Sequence, residues 1–70
     1  MDYAKLLKHI REVMILSQTD LAKELGVSFA TVNRIENNQH RPTYSTRRKI
    51  KEFCKKHKII FGDTNYGEGY

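Results

Sequence analysis

The chain has few of the residues that cross-link small domains or bind metals. It carries one Cys, one Pro and no Trp among its 70 residues. A single Cys cannot form an intramolecular disulfide, so a reducing, cytoplasmic setting is the default expectation. The three His are scattered, and only Cys54 and His57 fall on one helical face. Two such ligands are too few for a structural zinc site, and a core Cys beside a half-buried His is the commoner arrangement.

Long apolar runs are also lacking. No stretch approaches the roughly 18 residues of a membrane-spanning helix, and no signal peptide opens the chain. The sequence shows no Ser/His/Asp arrangement, no Gly-rich phosphate loop and no carboxylate pair in a cleft. We therefore expect no enzyme activity, no cofactor, no small-molecule substrate and no membrane partner.

Positive charge is gathered in one segment of the chain. The net charge is +5, but residues 1–38 sum to zero, residues 39–58 sum to +7 and residues 59–70 sum to −2. Such clustering indicates a polyanionic partner. A merely solvated surface would explain the sign of the charge but not its position.

Two amphipathic helices flank the centre of the chain. Apolar residues from Tyr3 to Met14 recur at helical spacing, and Asp2 can cap that helix. A last helix is predicted over 44–57, with Thr43 as its cap, after a polar loop that ends at the only Pro.

Between them, the stretch from Gln18 to Asn37 reads as a helix over 18–25, a tight turn and a second helix over 29–37. Ser17 and Asp20 have capping-box spacing, and Ser28 can cap the second helix. Gly26 stands where the first helix needs a left-handed end. Two consecutive helix starts with this glycine between them match a DNA-binding helix-turn-helix.

The run LSQTDLAKELGVSFATVNRIENNQHRP resembles the lambda-repressor-like (Xre or Cro-type) helix-turn-helix family, and the resemblance covers roughly residues 3 to 57. It implies an all-α bundle of four to five helices within a domain over residues 1–58. Asn38 stands where the family usually has Gly, and Asn is the next-best residue for a left-handed helix stop. Lys51 and the FCKKHK run depart from the small and aliphatic residues that are usual there.

Residues 59–70 form a short tail outside this domain, partly disordered or in contact with a partner. We expect residues 62–70 to be mostly disordered, because Gly and polar residues dominate them. Ile59 to Phe61 can cap the core, pair as a short strand or meet a second subunit, and the sequence leaves these alternatives open.

The resemblance implies a recognition helix over 28–37 that enters the major groove of DNA. The residues at its base-reading positions are Phe29, Ala30, Asn33 and Arg34. Arg34 can pair with guanine and Asn33 with adenine, whereas Phe29 and Ala30 can only meet thymine methyl groups or exclude bases by shape. The alternatives are that Asn33 and Arg34 are simply a solvated face and that Phe29 is an edge of the core.

A second group of residues is expected at the DNA backbone, where contacts fix register without reading sequence. By resemblance Gln18 bonds a phosphate, and the helix dipole at that position favours an anion. The predicted backbone-contacting residues are Gln18, Ser28, Thr31, Asn37, Arg41, Arg47 and Arg48.

Arg11 and Glu36 are expected to form an ion pair. Glu36 flanks the inward stripe of its helix, where an unpaired carboxylate would be costly, and the family pairs a glutamate here with an arginine on the first helix. The role of this ion pair would be to orient the recognition helix.

Sequence-specific binding of double-stranded DNA, as a transcriptional regulator of repressor type, is the favoured function. Homodimerisation is left open, since the C-terminal region departs from the family. The rival functions are an antitoxin, a protein-interaction or targeting module with the same fold, and a non-specific DNA binder.

Overall fold

The computed structural model describes residues 2–61 and 64–65. Within them the chain forms four helices followed by two short strands. These are α1 Tyr3–Met14, α2 Gln18–Leu25, α3 Phe29–Glu36, α4 Tyr44–His57, β1 Ile60–Phe61 and β2 Thr64–Asn65. The predicted all-α bundle with a helix-turn-helix is confirmed.

Each helix begins after a short polar side chain that accepts a hydrogen bond from the backbone N–H three residues on. These caps are Asp2, Ser17, Ser28 and Thr43. At α2 the bond is reciprocal, because Asp20 also accepts from the Ser17 backbone N–H at 3.2 Å. This capping box satisfies two N–H groups that the helix itself leaves unpaired. The hydrogen bonds from Ser17 lower the pKa of the Asp20 carboxyl below its ordinary value.

The two helices of the motif end on left-handed residues, as the sequence predicts. Gly26 has φ +72°, and a Cβ added there would find no heavy atom nearer than 3.9 Å. The glycine is therefore required by its backbone conformation and not by lack of space. After α3 the left-handed residue is Asn38, at φ +58°, and the Gln39 N–H closes the turn on the Arg34 carbonyl at 2.8 Å.

All four helices contribute to one apolar core. Its fully buried members include Leu6, Leu7, Ile10, Leu21, Val32, Ile50 and Cys54. Both α1 and α2 pack on α3, and α2 also packs on α4. An eight-residue helix is too short to be stable alone, so these contacts determine where α3 lies.

The chain continues the core beyond α4. Ile59 is buried among the core residues, whereas Ile60 is exposed and begins β1. β1 pairs with β2 in antiparallel fashion, with Ile60 opposite Asn65 and Phe61 opposite Thr64. Two of the alternatives for Ile59 to Phe61 are thus realised together, a core contact and a short strand. The expectation of disorder over 62–70 lies outside the described residues, except at β2, which is a strand.

No helix in the described part of the chain is both long enough and apolar enough to cross a bilayer.

Candidate nucleic-acid interface

α3 has a buried face and an exposed face, and the predicted base-reading residues lie mainly on the exposed one. Val32 and Ile35 point into the core. Ala30 and Arg34 are exposed, and Asn33 is half-buried. Phe29 is 50% exposed and does not belong to the core cluster. The structure therefore places Phe29 on the surface beside the other three residues and not at the edge of the core.

The start of α3 is held by a local pair of hydroxyl groups. The Ser28 hydroxyl accepts from the Thr31 backbone N–H at 3.1 Å and lies 2.8 Å from the Thr31 hydroxyl. Both side chains thus have a structural role in the helix cap. Their contacts with DNA phosphates stay predictions.

Arg11 and Glu36 form a two-pronged ion pair between α1 and α3. Arg11 Nε donates to Glu36 Oε2 and Nη2 donates to Oε1, both at 2.8 Å. The Glu36 side chain is 1% exposed and that of Arg11 is 27% exposed. The hydrogen bond to Glu36 raises the pKa of Arg11 further, so this charge is permanent. The two helices are therefore joined by a paired charge at the margin of the core.

A chain of amide side chains leads from this ion pair to the exposed face of α3. Gln18 Nε2 donates to Glu36 Oε1 at 3.2 Å. Asn33 Nδ2 donates to Gln18 Oε1 at 3.2 Å, and Asn37 Nδ2 donates to Asn33 Oδ1 at 3.3 Å. We call Glu36, Gln18, Asn33 and Asn37 the amide relay. The sequence predicts an ion pair for Glu36, a base contact for Asn33 and backbone contacts for Gln18 and Asn37. Only the spacing of Asn33 and Asn37 at i and i+4 indicates a contact between any two of these side chains.

Tyr44, at the start of α4, is a surface residue that is not among the predicted site residues. The residue is 70% exposed. The guanidinium carbons of Arg47 and Arg48 lie 5.9 and 5.3 Å from its centroid. Neither guanidinium has a carboxylate partner among residues 2–61 and 64–65. An aromatic residue with Arg at i+3 and i+4 is the signal that would have found this cluster.

The remaining predicted cation, Arg41, is exposed in the loop that joins α3 to α4. Pro42 beside it is buried, so the loop is anchored next to the exposed guanidinium. A further contact fixes the turn between α2 and α3, where Lys49 Nζ donates to the Gly26 carbonyl at 3.1 Å. The lysine comes from α4, and nothing in the local sequence indicates this bond.

Cys54 lies in the core, and His57 is half-buried. Cys54 is fully buried, and burial raises the pKa of its thiol to about 11. The His57 ring packs on Phe53 with its centroid 4.4 Å away. In the described part of the chain, no three His, Cys, Asp or Glu side chains are grouped so that they could hold a metal ion.

The fold and this surface define a helix-turn-helix protein, and the comparison with known families agrees. A family model described as helix-turn-helix matches residues 7–58. The chain belongs to this family, in its lambda-repressor-like (Xre) form, and carries a DNA-binding helix-turn-helix of the transcription-regulator type. The family is a DNA-binding regulatory one and not typically enzymatic. No curated protein and no solved structure gives a significant match.

Proposed function

We propose that the chain binds double-stranded DNA sequence-specifically, as a transcriptional regulator of repressor type, with α3 in the major groove. The observation that carries this proposal is the exposed face of α3, where Phe29, Ala30 and Arg34 lie opposite the buried Val32 and Ile35. The major groove, about 12 Å wide, admits an α-helix. Each base pair shows a distinct pattern of donors and acceptors there, which outward side chains can read.

The side chains of this face are suited to a DNA site that contains both G·C and A·T base pairs. Arg34 has the forked donors that pair with guanine O6 and N7. Asn33 offers one donor and one acceptor, which suits adenine. Phe29 and Ala30 have no polar side-chain atoms and favour contact with thymine methyl groups. We therefore expect a preferred half-site that contains guanine, adenine and thymine at neighbouring positions.

Backbone affinity would come from the segment after α3. Residues 39–58 carry a summed charge of +7. Arg41, Arg47 and Arg48 are exposed there, and the Tyr44 ring gathers the latter two at the start of α4. Three phosphate contacts per chain predict a slope of about −2.7 in log affinity against log salt concentration. Gln18, Ser28, Thr31 and Asn37 would add neutral contacts.

The first experiment is selection of bound duplexes from a random-sequence pool at near-physiological salt, followed by sequencing. Enrichment of a sequence supports the proposal. An inverted repeat with half-sites roughly 34 Å apart would establish a homodimer, and a single half-site a monomer. Salt-sensitive binding without enrichment would indicate a non-specific binder. No binding at all would favour a protein partner, as in an antitoxin or a targeting module.

Two matched variants separate base reading from general charge. Arg34→Ala and Lys56→Ala each remove one positive charge from an exposed helical position. Arg34→Ala should cost about 1–3 kcal/mol of discrimination at one base pair. Lys56→Ala, late in α4, should leave the base preference unchanged. Equal, sequence-independent losses in the two variants would contradict the proposed specific binding.

A further inference from the structure

The hydrogen bonds of the amide relay run in one direction, and a charge sets that direction. The carboxylate of Glu36 can only accept hydrogen bonds, and Arg11 already donates to both of its oxygens. Gln18 must therefore turn its NH₂ group toward Glu36. This leaves the Gln18 oxygen, which can only accept, facing α3.

The same reasoning fixes the amide of Asn33. Its NH₂ group must face the Gln18 oxygen, 3.2 Å away. Its own oxygen then faces the NH₂ group of Asn37, at 3.3 Å. An amide that is free in solution can turn either way, so a relay that ends on a carboxylate removes one of two orientations.

Asn33 keeps one N–H and one oxygen lone pair that these bonds do not use. A donor and an acceptor on one amide edge match adenine, which shows the N7 acceptor and the N6 donor in the major groove. With the amide turned the other way, the same two groups would face the base in reversed order. The orientation of Asn33 therefore decides which base edge it can meet.

We propose that Gln18 is a positioning residue for base selection. Because its NH₂ group donates to Glu36, its oxygen faces Asn33. This holds the Asn33 amide in the orientation that reads adenine. The inference rests on the proposed function. It differs from a phosphate contact by Gln18, which would strengthen binding to every sequence alike. One N–H of Gln18 remains for such a contact, so the two roles are compatible but have different signatures.

The test is equilibrium binding of the full chain to the selected duplex and to duplexes with each base pair replaced in turn. Asn33→Ala should lower discrimination at one adenine position by about 5- to 150-fold and thereby identify that position. Gln18→Met removes both relay bonds but keeps side-chain length, and it should lower discrimination at the same position at least threefold. In the double variant the loss should be no greater than in Asn33→Ala alone. Thermal melts followed by circular dichroism show that each variant is folded.

One further variant keeps the test specific. Thr19→Ala changes the next residue of the same helical turn, which is exposed, and should leave the base preferences as they are.

The outcomes distinguish this inference from the proposed function. An unchanged preference in Gln18→Met, with equal weakening on every duplex, would overturn the inference and assign Gln18 to phosphate alone. A wild-type chain without any base preference would overturn the proposed function and this inference together.

Discussion

Glu36 is expected to be the most costly polar residue of the domain to remove. Its side chain is 1% exposed and accepts three hydrogen bonds, two from Arg11 at 2.8 Å and one from Gln18 at 3.2 Å. Glu36→Ala would leave the Arg11 guanidinium without its partner, since its charge cannot be removed by deprotonation.

The size of the loss follows from this burial. Removing one partner of a buried ion pair costs about 3–5 kcal/mol. Arg11 is 27% exposed, so water can replace part of what it loses, and we expect a value near the lower bound, about 3 kcal/mol. Domains of this size have unfolding free energies of about 3.5–10 kcal/mol. The change should lower Tm by about 12–24 °C.

Glu36→Gln separates charge from volume. It fills the same space, but one of its two terminal groups becomes a donor that faces another donor. We expect a loss of about 1.5–3 kcal/mol, since one bond to Arg11 is lost and a buried donor is left unpaired.

Urea unfolding followed by circular dichroism measures these losses by linear extrapolation. The matched control is Glu24→Ala, which truncates an exposed glutamate of α2 and should stay within about 0.5 kcal/mol of wild type. Equal losses for the two alanine variants would refute the reasoning, because the buried and paired Glu36 would then stabilise the domain no more than the exposed Glu24.

Three other predictions test separate parts of the fold. Hydrogen bonds from Ser17 lower the pKa of Asp20 below its ordinary value of 3.8. The stabilising effect of its charge is therefore complete well above pH 3.8 and is lost as pH falls through the folded-state pKa. Asp20→Asn should lower the urea midpoint at pH 7, and its deficit relative to wild type should shrink as pH falls below 3.8. The Cys54 thiol, buried and with its pKa raised to about 11, should react with a thiol reagent at pH 8 only as fast as the domain opens; immediate labelling of folded protein would contradict this. Lys49→Met, which removes the bond to the Gly26 carbonyl, should cost about 0.5–1.5 kcal/mol in urea unfolding, whereas Lys56→Met should cost nothing measurable.

Helix limits were predictable because they depend on neighbours three or four residues apart. α1 and α4 span the predicted residues 3–14 and 44–57, and α3 ends one residue early, at Glu36. Caps, left-handed stops and apolar periodicity are all local signals of this kind. The β1–β2 ladder had no comparable signal, because strands of two residues are too short to show a period.

Contacts between helices were predictable only through the family resemblance. Arg11 and Glu36 are 25 residues apart, and their pairing was expected because both match family positions. Gln18 and Asn33 are 15 residues apart, and no residue pattern predicted their bond, which depends on how α2 and α3 cross. The sequence indicated which residues face outward on α3, but not what holds their side chains.

The relay links the stability of the domain to the proposed reading of DNA through one residue. Glu36 belongs to both systems, since it accepts from Arg11, which joins α1 to α3, and from Gln18, which leads to Asn33. Gln18 belongs to the relay alone. Glu36→Gln should therefore reduce both the free energy of unfolding and the preference for adenine, because its amide no longer fixes the direction of the relay. Gln18→Met should reduce the preference with much less effect on unfolding. If both variants lowered the two quantities in the same proportion, base preference would simply follow the stability of α3, and no separate positioning role for Gln18 would be needed.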